Sequence, residues 1–279
     1  MRSEQMLVGI IGGNGAMGSL FKGVFERAGY RVICSGRNTP LSNSSLATQS
    51  DIVVVSVPVR STVDVIDEIA PLLTEKQIIC DLTSLKSEPV SAMLKARAQV
   101  IGLHPMFGPT VLSLKGQTII ATPARCDEET AHIFYSIFKN EDARITVTTP
   151  KKHDLMMAVV QGLTHFATLS LAETMRTLEM DLDTLLSFTS PVYRIEMGLI
   201  GRILGQNPDL YGDILQMNPA VPGVLAQFED SVSRFRSVVE GGDAREFEEF
   251  FSECREKFRE FIPQAASETD LIIDALVKK

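Results

Sequence analysis

Gly13-Asn14-Gly15-Ala16-Met17-Gly18 forms a GxGxxG run directly after a short apolar segment, Leu7–Ile11, and opens a helical pattern. In that setting Gly13 permits a tight turn, Gly15 lets the backbone approach a pyrophosphate, and Gly18 allows close packing of helix on strand. The helix N-terminus then faces the phosphates with unpaired N–H groups. A dinucleotide is the predicted ligand. The second apolar run is followed by Ser35-Gly36-Arg37-Asn38, where a carboxylate would accept from the ribose 2′-hydroxyl of NAD. An arginine in place of that carboxylate suits a 2′-phosphate, so Ser35 and Arg37 favour NADP over NAD. The alternative is that Arg37 stacks on adenine and NAD binds.

A second group of residues offers proton transfer. His104, in Leu103-His104-Pro105-Met106-Phe107-Gly108, lies at the carboxyl end of a predicted strand, where open α/β sheets place their ligands. An imidazole there can exchange a proton at neutral pH. Asp81-Leu82-Thr83-Ser84-Leu85-Lys86 also follows a strand and supplies a hydroxyl and an ammonium, so Ser84 and His104 could reach one substrate hydroxyl. Further on, Asp154, Gln161, His165 and Thr168 share one stripe of a helix, Leu155 to Ala172, that is apolar nearly all round and is expected to be buried. The stripe is either a satisfied polar network or the wall of a ligand cavity. On another helix Arg194, Gly198 and Arg202 stand at i, i+4 and i+8, two guanidinium groups on one side. The plainer alternative pairs them with Glu196 or Asp209 as surface ions. His153 and His165 are too far apart in sequence for a metal motif, and neither a GxSxG elbow nor a phosphate-loop lysine pattern occurs.

These groups need a scaffold. The 279 residues suffice for about two domains with cores. Short β-branched runs at Leu7–Ile11, Arg31–Cys34, Ile52–Val57, 77–81, Val100–Leu103, Thr118–Ala121 and Arg144–Val147 alternate with helical stretches, which predicts βαβ units and a parallel sheet. After Pro150 long helical patterns take over. The expected fold is therefore α/β, with a Rossmann-type dinucleotide-binding domain over 1–150 and an all-helical domain over 151–279 for substrate binding and dimerisation.

Lys and Arg total 27 against 35 Asp and Glu, a net charge of −8, which argues against a nucleic-acid partner. The four cysteines lack a CxxC pair and fit reduced thiols of a cytoplasmic protein. No signal peptide is visible, and the polar residues inside the apolar helix weigh against a membrane span. The phenylalanines at 247, 250, 251, 258 and 261 recur at helical spacing opposite a charged face, and this surplus of apolar helix predicts a homodimer.

Gly12–Gly18, Val55–Pro58, Asp81–Pro89, Gly102–Gly108, His153–Met157 with Gln161–Phe166, and Ser190–Arg202 together resemble the prephenate dehydrogenase family of tyrosine biosynthesis. The resemblance runs from about residue 7 to the C-terminus and covers only the dehydrogenase module of the enteric bifunctional enzyme. It implies oxidative decarboxylation of prephenate, a dicarboxylate, to 4-hydroxyphenylpyruvate with hydride transfer to a nicotinamide. It assigns the proton acceptor to His104 and the serine sharing the substrate hydroxyl to Ser84. Arg202 matches the carboxylate-binding arginine, Arg194 and Lys86 match supporting basic positions, and His165 with Gln161 falls near the pyruvyl side chain. Gly13 to Gly18, Ser35, Arg37, Ser56, Val57 and Pro58 fall to the cofactor. Relatives on the same scaffold oxidise arogenate or 4-amino-4-deoxyprephenate. Two other readings stay open: a β-hydroxyacid dehydrogenase or imine reductase, whose helical lysine is missing from Asp154–Ala172, and a non-catalytic NADP-binding sensor.

Overall fold

The structure is a computed structural model and describes residues 6–278. Seven strands, β1 (Leu7–Ile11), β2 (Arg31–Ser35), β3 (Ile52–Val55), β4 (Ile78–Asp81), β5 (Gln99–Pro105), β6 (Thr118–Arg125) and β7 (Arg144–Val147), form one sheet in the order β2-β1-β3-β4-β5-β6-β7. Five helices accompany them: α1 (Ala16–Arg27), α2 (Asn43–Gln49), α3 (Val59–Ile69), α4 (Ser87–Met93) and α5 (Glu128–Asn140). The chain leaves β1 for β2 on one side and then crosses to β3 on the other, which opens a crevice at the carboxyl ends of β1 and β3.

The sheet is mixed where a parallel one was expected, because β6 runs antiparallel to β5. The reason is local: residues 106–117 between them contain no helix, and a parallel return needs a crossover element. Strand β5 also continues past Leu103, so His104 belongs to the ladder opposite Ile120. Two helices that apolar periodicity alone did not announce, α2 and α5, start at caps: Ser42 accepts from the Ser45 N–H, and Asp127 from that of Thr130.

Alternation along the strands sends side chains to two cores. Ile52 and Val54 of β3 join Phe21 and Phe25 of α1 and Phe134 and Phe138 of α5; Val53 and Val55 join Leu46 of α2 and Ile66 and Ile69 of α3.

From Pro150 the chain is helical: α6 (Pro150–Met157), a π-helical stretch (Ala158–Leu163), α7 (Thr164–Thr177), α8 (Leu182–Ser187), α9 (Pro191–Leu204), α10 (Pro208–Met217), α11 (Val221–Gly241), α12 (Ala244–Phe258) and α13 (Ile262–Val277). The chain divides into two compact units later than the change of pattern, at Ala158, and the first unit takes back Gly212–Pro219. There Arg60 meets Asp213 at 2.5 Å, and Asn218 Nδ2 donates to the Asp154 carbonyl at 2.8 Å. In the second unit, α7, α8, α12 and α13 have no buried residue. The expected burial of Leu155–Ala172 holds at Met157 and Ala158, whereas Leu155 and Val160 are each about half exposed and α7 has no buried residue. By length and composition Pro150–Thr177 could cross a membrane, but the π stretch and the buried His153–Asp154 pair interrupt it.

Candidate active site

A cavity of about 900 Å³ lies at the β1/β3 crevice, lined by Gly12, Asn14 and Gly15, by Gly36 to Thr39, by Ser56 to Pro58, and by Ser61, Val65 and Glu68 of α3. One glycine role differs from the sequence reading. Gly12, not Gly13, makes the turn, at φ +83°, and a Cβ there would sit 2.1 Å from the Ser56 carbonyl. Gly13 instead admits Cys34, whose Sγ would lie 2.3 Å from a Cβ. Gly18 permits α1 to press on the turn, as expected. Gly15 is the N-cap of α1 and carries no side-chain cap, so the first N–H groups of the helix are available to an anion. Ala16 and Met17 are its first residues. The cradle, the open helix end and the cavity's size fit a dinucleotide. Ser35 is buried and donates to Asn43 Oδ1, whereas Arg37 is exposed on the cavity wall.

The second feature is a buried polar chain in the first unit. His104 Nδ1 lies 2.8 Å from His153 Nε2, and His153 Nδ1 lies 2.8 Å from Asp154 Oδ1. Asp154 also accepts from the backbone N–H groups of Lys86 and Ser87 at 2.9 and 2.8 Å. Burial would raise its carboxyl, but the bonds from His153, Ser87 and Lys86 prevail and hold it below the usual carboxylate range. An ionised carboxylate can only accept. His153 therefore donates from Nδ1; with a neutral His153, its Nε2 accepts from His104 Nδ1 and the acceptor lone pair of His104 lies on Nε2. Burial, then the neighbouring His153 and Lys86, push the His104 imidazole well below its ordinary value, against the pull of Asp154. Burial and the bond to His153 thus favour a neutral His104 imidazole.

Ser84 follows β4, whose last residue Asp81 pairs in register with Gly102, two residues before His104 on the neighbouring strand, and the segment it begins reaches the chain where Lys86 and Ser87 donate to Asp154. Lys86 differs from the sequence reading. It is fully buried, its Nζ is ion-paired with Asp81, and Thr83 Oγ1 donates to the same carboxylate, so its charge is spent inside the fold rather than offered to a ligand. Burial lowers the ammonium despite that partner. His153 escaped the sequence assignment because its partner is 49 residues away and no local pattern links them.

In the second unit, Arg194 and Arg202 stand on α9 as the spacing predicts, with Gly198 between them facing open space. Among the described residues no ion pair holds either guanidinium, so pairing with Glu196 or Asp209 is not found. His165 rests edge-on against Tyr211 with ring centroids 4.8 Å apart. Burial raises the Tyr211 hydroxyl and the charge of Arg202 draws it back. His165 Nδ1 and the Tyr193 hydroxyl are buried without a hydrogen-bond partner within the chain. Burial lowers the His165 imidazole as well. Gln161 lies in the π stretch one turn before it, whereas Asp154 belongs to the first unit, so the predicted stripe is divided.

Comparison with known proteins gives a consistent result. Residues 35–147 match the model of the prephenate dehydrogenase nucleotide-binding domain, and residues 149–253 that of the prephenate dehydrogenase dimerization domain. A probable arogenate/prephenate dehydrogenase of Methanocaldococcus jannaschii is 34% identical, over 100% of this chain and 67% of that protein. The T-protein of Haemophilus influenzae is 31% identical, over 93% of this chain and 69% of its own length. Among solved structures, prephenate dehydrogenase from A. aeolicus, in complex with hydroxyphenyl propionate and NAD+, shares the fold at a TM-score of 0.75 and 20% identity, covering 94% of this chain and 100% of that one. Both halves of the chain thus carry the same signature, and the protein belongs to the prephenate dehydrogenase family and is a dehydrogenase.

Proposed function

We propose that the protein oxidatively decarboxylates prephenate to 4-hydroxyphenylpyruvate with NADP as hydride acceptor. The observation that carries this reading is the buried His104–His153–Asp154 chain, which fixes a neutral imidazole at the carboxyl end of β5 beside the segment bearing Ser84. His104 Nε2 takes the proton of the 4-hydroxyl, with Ser84 sharing that hydroxyl, while the C4–H bond breaks and C4=O forms. The nicotinamide, when bound, accepts the hydride. The ring carboxylate leaves as carbon dioxide, its C–C electron pair closes the aromatic ring, and His104 returns the proton to the phenolic oxygen. Protons thus balance and two electrons leave with the hydride.

Arg202, supported by Arg194, binds a substrate carboxylate. A planar, permanently charged fork suits that task, and neither arginine is consumed by an acidic neighbour. His165 and Gln161 read the pyruvyl side chain. Lys86 acts indirectly, through Asp81 and the backbone bond it gives Asp154. Arg37, Asn38 and Thr39, with no carboxylate in that loop, favour the 2′-phosphate of NADP. The helices of the second unit support a homodimer, since the exposed faces of α7, α12 and α13 lack a partner within one chain. A second reading, arogenate as substrate, rests on the M. jannaschii relative, whose description names arogenate alongside prephenate.

Dinucleotide reduction followed separately with prephenate, arogenate and 4-amino-4-deoxyprephenate tests the proposal. Prephenate with NADP should give the highest kcat/KM. Higher kcat/KM with arogenate would install the second reading, and no turnover with any of the three would overturn both.

A further inference from the structure

One carboxylate lines the cavity at the β1/β3 crevice. Glu68, in the last turns of α3, lines the cavity together with Ser61 and Val65, at spacings of four and three that place all three on one helical face. Its two oxygens accept from neutral donors at the start of α2, Oε2 from Asn43 Nδ2 at 3.2 Å and Oε1 from Ser44 Oγ at 3.0 Å. Asn43 is held in turn by the Ser35 hydroxyl at 2.9 Å, so the carboxylate is tied to the end of β2. Among the described residues no cation pairs with Glu68. A negative charge therefore persists in a cavity whose glycine end is built for phosphates. Repulsion of phosphate would make it a liability unless some part of the ligand donates to it.

The chemistry of the surrounding wall selects that part. The cavity's apolar lining falls in two places: Ile11, Val57 and Pro58 beside the glycine turn, and Leu41 and Val65 beside Glu68. Leu41 and Val65 pack partly onto the core behind them and present flat hydrocarbon, which suits the faces of a purine rather than a sugar. The loop Gly36–Thr39, which carries Arg37, remains for the ribose. Along its edge adenine offers one strong exocyclic donor, the 6-amino group. We propose that Glu68 is the specificity residue for the adenine base, accepting from the 6-amino group while Leu41 and Val65 cover the ring. The inference rests on dinucleotide binding by this unit and is independent of the substrate and of the choice between NAD and NADP.

Isothermal titration of the purified protein with NADP, NAD and the hypoxanthine counterpart of each tests this without turnover. Hypoxanthine replaces the 6-amino donor with a 6-oxo acceptor, which would face the carboxylate lone pairs. The wild-type protein should bind each adenine dinucleotide about 10-fold or more tighter than its hypoxanthine counterpart, as expected for a charged hydrogen bond exchanged for a repulsive contact. Glu68→Gln should bring both ratios to about one, because an amide can accept from the amine or donate to the oxo group. Glu68→Ala, at an exposed position, serves as a second variant and should do the same by removing the reader. Equal binding of the adenine and hypoxanthine forms by the wild type would overturn the proposal. So would variants that weaken all four ligands alike, which would make Glu68 only a wall, or that change the NADP-to-NAD ratio alone, which would assign it to the ribose. Failure of the wild type to bind any of the four would instead overturn dinucleotide binding itself.

Discussion

The two compact units bury their chemistry in opposite ways. In the first, the sheet is sealed on both faces and the ionisable groups inside it are partnered: Lys86 by Asp81, His153 by Asp154, and His104 by His153. In the second, among the described residues, Ile200 and Val221 are the apolar side chains that reach full burial, while Phe251, Phe258 and Leu271 are more than half exposed. Among the described residues no acidic side chain pairs with Arg194 or Arg202, and the buried polar atoms His165 Nδ1 and the Tyr193 hydroxyl lack hydrogen-bond partners. The difference teaches that the first unit satisfies its buried ionisable groups within itself, whereas the second leaves apolar surface and the Arg194 and Arg202 charges unmatched within one chain. Burial without a partner is costly for polar groups, and large apolar exposure marks an interaction surface.

The contrast can be broken first at its satisfied end. His104→Asn should lower turnover by about two to four decades, the usual worth of a general base, and leave dinucleotide affinity unchanged by titration. Near-normal turnover would remove His104 from the chemistry. At the unmatched end, Arg202→Gln should raise the substrate KM by about 10- to 100-fold, the value of a hydrogen bond between charged groups, with kcat much less affected. An unchanged KM would show that the exposed guanidinium serves no ligand. Phe251→Glu gives the smallest effect, placing a charge on the exposed aromatic face of α12; sedimentation at micromolar concentration should show the wild type as a dimer and the variant shifted toward monomer. A monomeric wild type would break the comparison, since the open surface would then need another explanation.

How much of this could be read from the sequence follows the same division. Contiguous signals were legible: the glycine run, the β1-to-β7 strand spacing, and the i, i+4, i+8 arginines of α9, because each depends on local periodicity or turn chemistry. The antiparallel β6 was not, since strand direction depends on what the connection can do, and residues 106–117 have no distinctive pattern. Nor was the partnership of His104 with His153, which only the fold brings to 2.8 Å. Lys86 was misplaced for the same reason: a lysine after a strand reads as an available cation until the structure shows Asp81 at its end. The apolar helix from Leu155 to Ala172 was read as buried because composition cannot tell a core from a surface that a second copy would cover, and the π stretch turned its faces out of register.

The central claim is that a buried, neutral His104 is the base, and the pH dependence of kcat/KM for prephenate tests it most directly. Burial lowers the imidazole, so the group stays unprotonated and competent as pH falls through the ordinary histidine value of about 6.5, and activity is lost only below it. The wild-type profile should therefore have its acid limb below about 6.5, and His104→Asn should abolish that limb along with most of the rate. An acid limb at or above 6.5, or the same limb surviving in His104→Asn, would contradict the account.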